Sequence, residues 1–170
     1  MSHHDEHIEH LKKINEMINS IEFAMLTTVD EDGTLRSRPM ATQRADFDGE
    51  LWFFTAADAP KVDEVEREHQ VNVSFTNPDD QQYVSMSGTA HLVRDRQKIE
   101  ELWNPVLRTW FPDGLDDPKL ALLHVKVSKA EYWDSSSSVV VHAFGLAKAL
   151  VTGQPPKPGE NEKVDFDRTR

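Results

Sequence analysis

The stretch from Leu35 to Thr55 constrains the fold of this chain most strongly, because it holds two strand-like segments on either side of a tight turn. Leu35–Arg44 is predicted to be the first strand. Phe47–Glu50 has the sequence FDGE, in which Gly supplies the positive φ that a turn between strands often requires. Leu51–Thr55 is apolar, ends on a hydroxyl and is predicted to be the second strand.

One face of the first strand is cationic. Side chains alternate between the two faces of a strand, so every second residue shares a face. That face carries Arg36, Arg38, Thr42 and Arg44. Arg is rarely buried unless it is paired. The stripe therefore has two interpretations: a solvated outer face, or a groove that holds an anionic ligand.

The composition limits the class of protein. A length of 170 residues with 38% hydrophobic and 29% charged residues predicts one soluble globular domain. A net charge of −11 argues against a nucleic-acid partner but does not exclude a local basic pocket. The absence of cysteine excludes disulfides, thiolate metal sites and cysteine nucleophiles. No apolar run has transmembrane length and the N-terminus is polar, so we expect no membrane association and a cytoplasmic location.

The periodicity of the whole chain predicts a small antiparallel β-barrel with interspersed helices. Strands are expected at Phe23–Val29, Leu35–Arg44, Leu51–Thr55, Val71–Asn77, Gln82–Val93, Leu120–Val127 and Ala130–Asp134. Helices are expected at His7–Ser20, from Pro60, after a cap at Asp95 and, as a short segment, at Val139–Val151.

The sequence also predicts how the first strands connect, where a strand is interrupted and where the domain ends. The first three strands are expected to form a meander of two successive hairpins. Gly88, inside a long alternating strand, indicates a bulge or a close approach of another backbone or ligand. Residues 1–150 are expected to form the domain, and residues 151–170 a proline-rich tail with little fixed structure.

The junction after the second strand has the parts of a phosphate site. Thr55 ends the strand, and a helix that carries Lys61 begins a few residues later. A helix N-terminus offers free backbone N–H groups and the positive end of the helix dipole, to which Lys61 adds a cation. The alternative is an ordinary helix start with a surface lysine.

No side chain stands out as an acid–base catalyst or as a metal ligand. His91 and His124 lie in predicted strands and are interpreted as packed or surface residues. His7 and His10 are three residues apart on the first helix, but the sequence fixes no third ligand for a metal. We therefore name no catalytic residue and expect no metal site.

Several motifs together resemble the general stress protein 26 family, a branch of the pyridoxamine 5′-phosphate oxidase-like, FMN-binding split barrels. The motifs keep their order between about His7 and Leu150. They are FAMLTTVDEDGTLRSRPM, LWFFT, APKVDEV, YVSMSGTAHLV and WFPDGLDDPKLALLHVKVSKAEYWD. The resemblance implies a mainly β protein with helices, built on a six-stranded antiparallel split β-barrel. It also implies a homodimer with one FMN in each of two interface grooves.

The resemblance assigns roles to individual positions. Arg38, Pro39, Met40 and Ala41 would line the flavin and its ribityl chain. Phe54 and Thr55 would lie beside the ribityl phosphate, which Lys61 would neutralise. The partner subunit would cover the flavin ring with Tyr83, Trp110 and Trp133. These roles select the anion-site interpretation for both the arginine stripe and the Thr55/Lys61 junction.

The chain departs from the oxidase itself at two places. The oxidase has a lysine five residues after its flavin arginine, where this chain has Gln43. It also has an Arg–x–His pair near its C-terminus, which the ending EKVDFDRTR lacks. Oxidation of pyridoxamine phosphate is therefore not expected.

Two functions follow from the resemblance. The first is an FMN-dependent oxidoreductase of unknown small-molecule substrate, in which the flavin carries the redox chemistry. The alternative is a non-catalytic FMN carrier or stress sensor. A related cofactor such as a deazaflavin, or a copy of the fold that has lost its flavin, also stays open.

Overall fold

The computed structural model describes residues 3–43, 45–135, 150–153 and 159–167. Its helices are α1 (His3–Ile18), α2 (Pro60–Arg67) and α3 (Arg96–Leu102), with short 3₁₀ helices at Pro105–Thr109 and Gly114–Asp116. Its strands are β1 (Phe23–Val29), β2 (Leu35–Ala41), β3 (Glu50–Ala56), β4 (Gln70–Asn77), β5 (Gln82–Val93), β6 (Leu120–Asp134) and β7 (Glu160–Asp165). The helix expected at Val139–Val151 falls almost wholly outside the described residues.

The strands form one antiparallel sheet in the order β2-β1-β4-β5-β6-β3, with β7 paired to β6 beside this path. The six-stranded path curls into a half-barrel, which confirms the expected split-barrel class. The 15-residue strand β6 organises the closure, because β3 pairs with its first half and β7 with its second half along the same edge. This one strand takes in both of the strands expected from the sequence, Leu120–Val127 and Ala130–Asp134.

The expected meander of β1, β2 and β3 is wrong in its second hairpin. β1 and β2 pair from Phe23↔Ala41 to Val29↔Leu35, but β3 pairs with β6. The connection between β2 and β3 is held against α1 instead. Asn15 accepts a hydrogen bond from the backbone N–H of Phe47 at 2.6 Å and donates one to its carbonyl oxygen at 2.8 Å. Phe47 is buried in the main core, so its side chain anchors this connection to the rest of the fold.

Two hydrophobic clusters stabilise the sheet. The larger one fills the concave side of the half-barrel, where Ile14 and Met17 of α1 are almost fully buried with the inward residues of the strands. The smaller one lies on the outer side of β3 and β6, under α3 and the 3₁₀ helices; it includes Ile99, Leu107, Phe111, Leu120 and Leu122. Because the two faces of β3 point into different clusters, Phe53 and Phe54 have different surroundings.

Gly88 confirms the predicted interruption of β5. The pairing of β5 with β6 shifts register between Ser87 and Gly88. A Cβ atom at Gly88 would lie 2.2 Å from the carbonyl oxygen of Lys126, a distance that only a residue without a side chain tolerates.

The end of the chain is more ordered than expected. β7 pairs with β6 from Lys129↔Asp165 to Asp134↔Glu160. Val164 and Phe166 are buried, and the Phe166 ring meets the Phe47 ring edge-on at 5.7 Å. The expectation of little fixed structure is therefore wrong for residues 160–167. Within the described part of the chain, no helix combines the length and the apolar character that a membrane crossing requires.

Candidate functional site

Strand β2 presents Arg36 and Arg38 on the face that turns toward α2. The hairpin register pairs Arg36 with Thr28 and Arg38 with Leu26, and directly opposed residues share a face of a sheet. Met40 continues the same face into the main core. The sequence-predicted alternation is therefore confirmed for Arg36 and Arg38, whose guanidinium groups reach one carboxylate.

That carboxylate belongs to Glu64 on α2, and its side chain is only 4% exposed. Oε2 of Glu64 accepts hydrogen bonds from Nη2 of Arg38 and from Oγ1 of Thr28, both at 2.5 Å. Nη1 of Arg38 also donates to Oγ1 of Thr28 at 2.5 Å, so each of these three side chains is hydrogen-bonded to the other two. Nη1 of Arg36 lies 3.2 Å from Oε1 of Glu64 and occupies the second oxygen.

Glu64 is ionised in this arrangement. Burial alone would raise the pKa of its carboxyl group. The hydrogen bond from Thr28 and the charges of Arg38 and Arg36 outweigh burial and hold the pKa below its ordinary value. A buried carboxylate with charge-assisted hydrogen bonds on both oxygens is strongly held in place.

Lys61 lies at the beginning of α2, one helical turn before Glu64. Burial, and then the positive charge of Arg38, lower the pKa of Lys61, while Glu64 raises it. Lys61 is partly buried, and among the described residues it has no hydrogen bond or ion pair. The positive charge of Lys61, close to that of Arg38, is therefore not paired with a carboxylate among these residues. A bound anion would compensate it.

Among the residues that the structure describes, no side chain bonds to the backbone at this helix start. Ala59 is the N-cap and Pro60 the first helical residue, so no side-chain hydrogen bond caps the helix. The carboxylate of Asp58, the residue before Ala59, lies 2.7 Å from Nζ of Lys119 instead of capping the helix. The amide N–H of Ala59 donates to the carbonyl oxygen of Ala56 at 3.0 Å, which keeps the end of β3 next to the helix. Thr55, 3% exposed, is thus close in sequence and in the fold to the uncapped N-terminus.

We use the name cationic cluster for Arg36, Arg38, Lys61 and Glu64. Its three cations and one carboxylate carry a net charge of +2 in a chain whose net charge is −11. A phosphate monoester carries about −1.5 to −2 at pH 7 and offers three acceptor oxygens. The cluster, together with the uncapped helix N-terminus, fits such a group in charge and in donors.

The remaining residues of the predicted flavin run divide between the two faces of β2 and β3. Pro39 is exposed and pairs with Met25 on the outer face, whereas Met40 is buried. Ala41 is partly buried and pairs with the exposed Phe23. The Phe54 ring meets the Trp103 ring edge-on at 5.9 Å and so lies on the opposite face of β3 from Thr55. A ligand near Thr55 would therefore meet Phe54 through its backbone.

The predicted aromatic residues lie apart from the cationic cluster within one chain. Tyr83 and Trp133 are direct cross-strand partners on β5 and β6, and both are well exposed on the outer face. Trp110 is 55% exposed at the end of a 3₁₀ helix. Since Arg38 lies on the inner face, this chain does not by itself bring the two groups together.

Two members of the site were missed by the sequence analysis. Glu64 follows Lys61 by three residues, and that spacing places two side chains on one face of a helix. Thr28 follows Ala24 and Leu26 in the alternation of β1, which assigns it to the buried face. Thr42, which was assigned to the arginine face, donates instead to the carbonyl oxygen of Ile21 at 2.6 Å. Arg44 is outside the described residues.

The half-barrel places the chain in the split-barrel class, and the comparison of sequences gives the family. A family model described as pyridoxamine 5′-phosphate oxidase like matches residues 9–157. Protein bli-3 of Neurospora crassa is 33% identical over 157 residues, which cover 85% of this chain and 75% of that protein. The chain belongs to the pyridoxamine 5′-phosphate oxidase-like family.

Solved structures agree with this assignment. The general stress FMN/FAD binding protein of Xanthomonas citri is 30% identical, with a TM-score of 0.67 over 78% of this chain and 93% of that chain. A general stress protein 26 from Jannaschia has a TM-score of 0.74 over 94% of this chain and 99% of that chain; at 22% identity it supports the fold alone. The predicted membership of the pyridoxamine 5′-phosphate oxidase-like family is thereby confirmed, and the Xanthomonas citri protein shares the general stress description.

Proposed function

We propose that this protein binds FMN, with the terminal phosphate at the cationic cluster. The observation that carries the proposal is the pairing of Lys61, a partly buried cation without a described partner, with Arg38 at an uncapped helix N-terminus. The similarity to an FMN/FAD binding protein at 30% identity supports a flavin as the ligand. Among flavins, FMN carries the phosphate monoester that matches a local charge of +2.

Different residues of the chain would contact different parts of the FMN molecule. Lys61, through its ammonium group and its backbone N–H, and Arg38 would hold the phosphate, and Thr55 would lie beside it. The strand segment Pro39–Ala41 would lie along the ribityl chain and the ring. The flavin, when bound, supplies the redox chemistry, and the protein supplies orientation and protection from solvent.

We further propose that the protein is a homodimer that forms through the outer face of the sheet. Among the described residues, five large apolar side chains are exposed on this face, and together they define the outer apolar patch: Phe23, Met25, Leu35, Tyr83 and Trp133. An exposed apolar patch of this kind is typical of a protein–protein contact. A second copy would bring Tyr83 and Trp133, with Trp110, toward the flavin ring.

The activity we infer is that of a flavin-dependent oxidoreductase with a small-molecule substrate other than pyridoxamine phosphate. Gln43 replaces the lysine that holds the substrate phosphate in the oxidase, so the substrate side of the site differs from that of the oxidase. A cytoplasmic location is part of the same proposal.

A visible absorption spectrum of the purified protein after incubation with FMN and gel filtration tests binding. We expect FMN to stay with the protein, and loss of all flavin would overturn the cofactor assignment. Anaerobic addition of NADH or NADPH then tests activity. Bleaching of the bound flavin faster than that of free FMN supports the oxidoreductase. Bound flavin that stays oxidised with these and other donors would instead indicate a carrier or sensor.

A further inference from the structure

Glu64 is the one acidic member of the cationic cluster, and on charge alone it should oppose the binding of an anion. Its carboxylate removes one unit of positive charge from a site that also holds Arg36, Arg38 and Lys61. It is also the most deeply buried of these four side chains in the described structure. The presence of a buried carboxylate in a site that is proposed to bind an anion therefore needs an explanation.

The contacts of Arg38 provide that explanation. Nη2 donates to Glu64 and Nη1 donates to Thr28, and Thr28 itself donates to Glu64. The guanidinium is therefore held at two nitrogen atoms by two side chains that are themselves buried. A guanidinium has five N–H donors, so three of them lie outside these two contacts.

The value of such a fixed guanidinium is entropic and geometric. A free arginine side chain has many rotamers, and a ligand that binds it must restrict them, which costs conformational entropy. Arg38 is already restricted in the protein alone. Its planar group is then ready to meet phosphate oxygens without further ordering.

We propose that Glu64 is a positioning residue for the phosphate site: it holds Arg38 in the orientation that binds a dianionic phosphate monoester. The site gains more from a fixed Arg38 than it loses through the charge of the carboxylate. This inference rests on the proposed FMN function and adds a role for a residue that does not itself contact the ligand.

The proposal makes a prediction that is opposite to simple electrostatics. Glu64→Gln removes the negative charge and raises the net charge of the cluster from +2 to +3. If only charge mattered, FMN would bind more tightly to this variant. We expect FMN to bind about tenfold more weakly, the scale for a lost charge-assisted contact. Riboflavin, which has no phosphate, should change by less than about twofold, because no contact of Glu64 reaches the ring side of the site.

The experiment measures dissociation constants for FMN and for riboflavin by quenching of flavin fluorescence, in the full chain and in its variants. Glu66→Gln is the matched control, because Glu66 is exposed on the same helix and the substitution removes the same charge. It should leave the ratio of the two dissociation constants unchanged. A thermal melt of each variant without flavin reports whether it folds.

Thr28→Val is the second variant. It removes one of the two side chains that hold Arg38 and changes no charge. We expect Thr28→Val, like Glu64→Gln, to weaken the binding of FMN more than the binding of riboflavin. If Glu64→Gln fails to fold, the FMN affinity of Thr28→Val tests whether the fixed orientation of Arg38 matters for binding.

The outcomes separate the two proposals. A wild-type protein that binds no FMN overturns the proposed function itself. A wild-type protein that binds FMN, with a Glu64→Gln variant of equal or higher affinity, overturns the positioning role and leaves the function standing. An equal loss for FMN and riboflavin would reduce Glu64 to a purely structural residue.

Discussion

Nη2 of Arg38 on strand β2 lies 2.5 Å from Oε2 of Glu64 on helix α2, and this contact joins the hairpin to the helix at the candidate site. The two residues are 26 positions apart in the chain. The contact exists because β2 pairs with β1, while α2 packs against β1. The helix that carries Lys61 is thereby fixed relative to the arginine strand, which is the condition for both cations to act on one phosphate.

Replacement of Lys61 by alanine should weaken the binding of FMN by about 1–3 kcal/mol, since it removes one charge-assisted contact with the phosphate. Titration of the flavin-free protein measures this change. Lys12→Ala, at an exposed position of α1, is the matched control for the loss of one positive charge. An unchanged affinity in the Lys61 variant would remove this residue from the site.

The same substitution should leave the flavin-free protein as stable as before, or slightly more stable. Burial and Arg38 lower the pKa of Lys61, which means that its charged form is less favourable in the folded than in the unfolded chain. A melting temperature that stays level while FMN affinity falls is typical of a residue kept for binding. A large drop in melting temperature would show that Lys61 is mainly structural.

The pH dependence of stability should report the ionisation of Glu64. Its pKa in the folded protein is below the ordinary value of 4.5, because Thr28, Arg38 and Arg36 outweigh burial. A lowered pKa means that the carboxylate stabilises the fold above its unfolded pKa, and that this stabilisation is lost as the pH falls through the folded value. The stability advantage of wild type over Glu64→Gln should therefore be constant from about pH 6 to 8 and shrink below about pH 5.

Melting temperatures of the two proteins over this pH range test the prediction. Glu66→Gln, an exposed residue of the same helix, should show little difference from wild type at any pH. If the advantage of wild type instead grows on acidification, the carboxylate is not stabilised by its neighbours in the way the contacts indicate.

The dimer should depend on the outer apolar patch. Met25 is 39% exposed near the middle of β1, and a charge at this position would have to be buried in a contact between two copies. We expect Met25→Glu to convert a dimer into a monomer and to weaken flavin binding, because the partner's aromatic residues would be lost. Ile8→Glu, an exposed apolar position on α1, is the control and should stay dimeric. Sedimentation of a monomeric, flavin-loaded wild-type protein would contradict the proposed dimer.

Much of the fold could be predicted from the sequence because its signals are local. β1 and β5 have the predicted bounds, and Asp95 caps α3 by accepting hydrogen bonds from the backbone of Gln97 and Lys98. The pairing of β3 with β6 could not be predicted, because it joins segments about 70 residues apart through contacts that no turn specifies.

In the candidate site, too, residues with a local sequence signal could be predicted and residues placed by long-range packing could not. Arg36, Arg38 and Lys61 could be predicted as candidates because a strand alternation and a helix start are patterns within a few residues. Glu64 was missed, since its partners come from β1 and β2 and only the packing of α2 on the hairpin reveals them. The aromatic residues Tyr83 and Trp133 lie on the opposite face from this cluster, so the role proposed for them requires a second copy.

The end of the chain should be part of the folded unit. Phe166 is 6% exposed and contacts both the Phe47 ring and, at 5.3 Å, the His7 ring, so it ties the end of the chain to α1 and to the β2–β3 connection. Phe166→Ala should lower the free energy of unfolding by about 3 kcal/mol, the scale for a large aromatic removed from a core. Lys163→Ala, exposed on β7, is the control and should change it by less than about 0.5 kcal/mol. Denaturant unfolding measures both, and an equally small effect of the two substitutions would mean that β7 contributes little to the stability of the half-barrel.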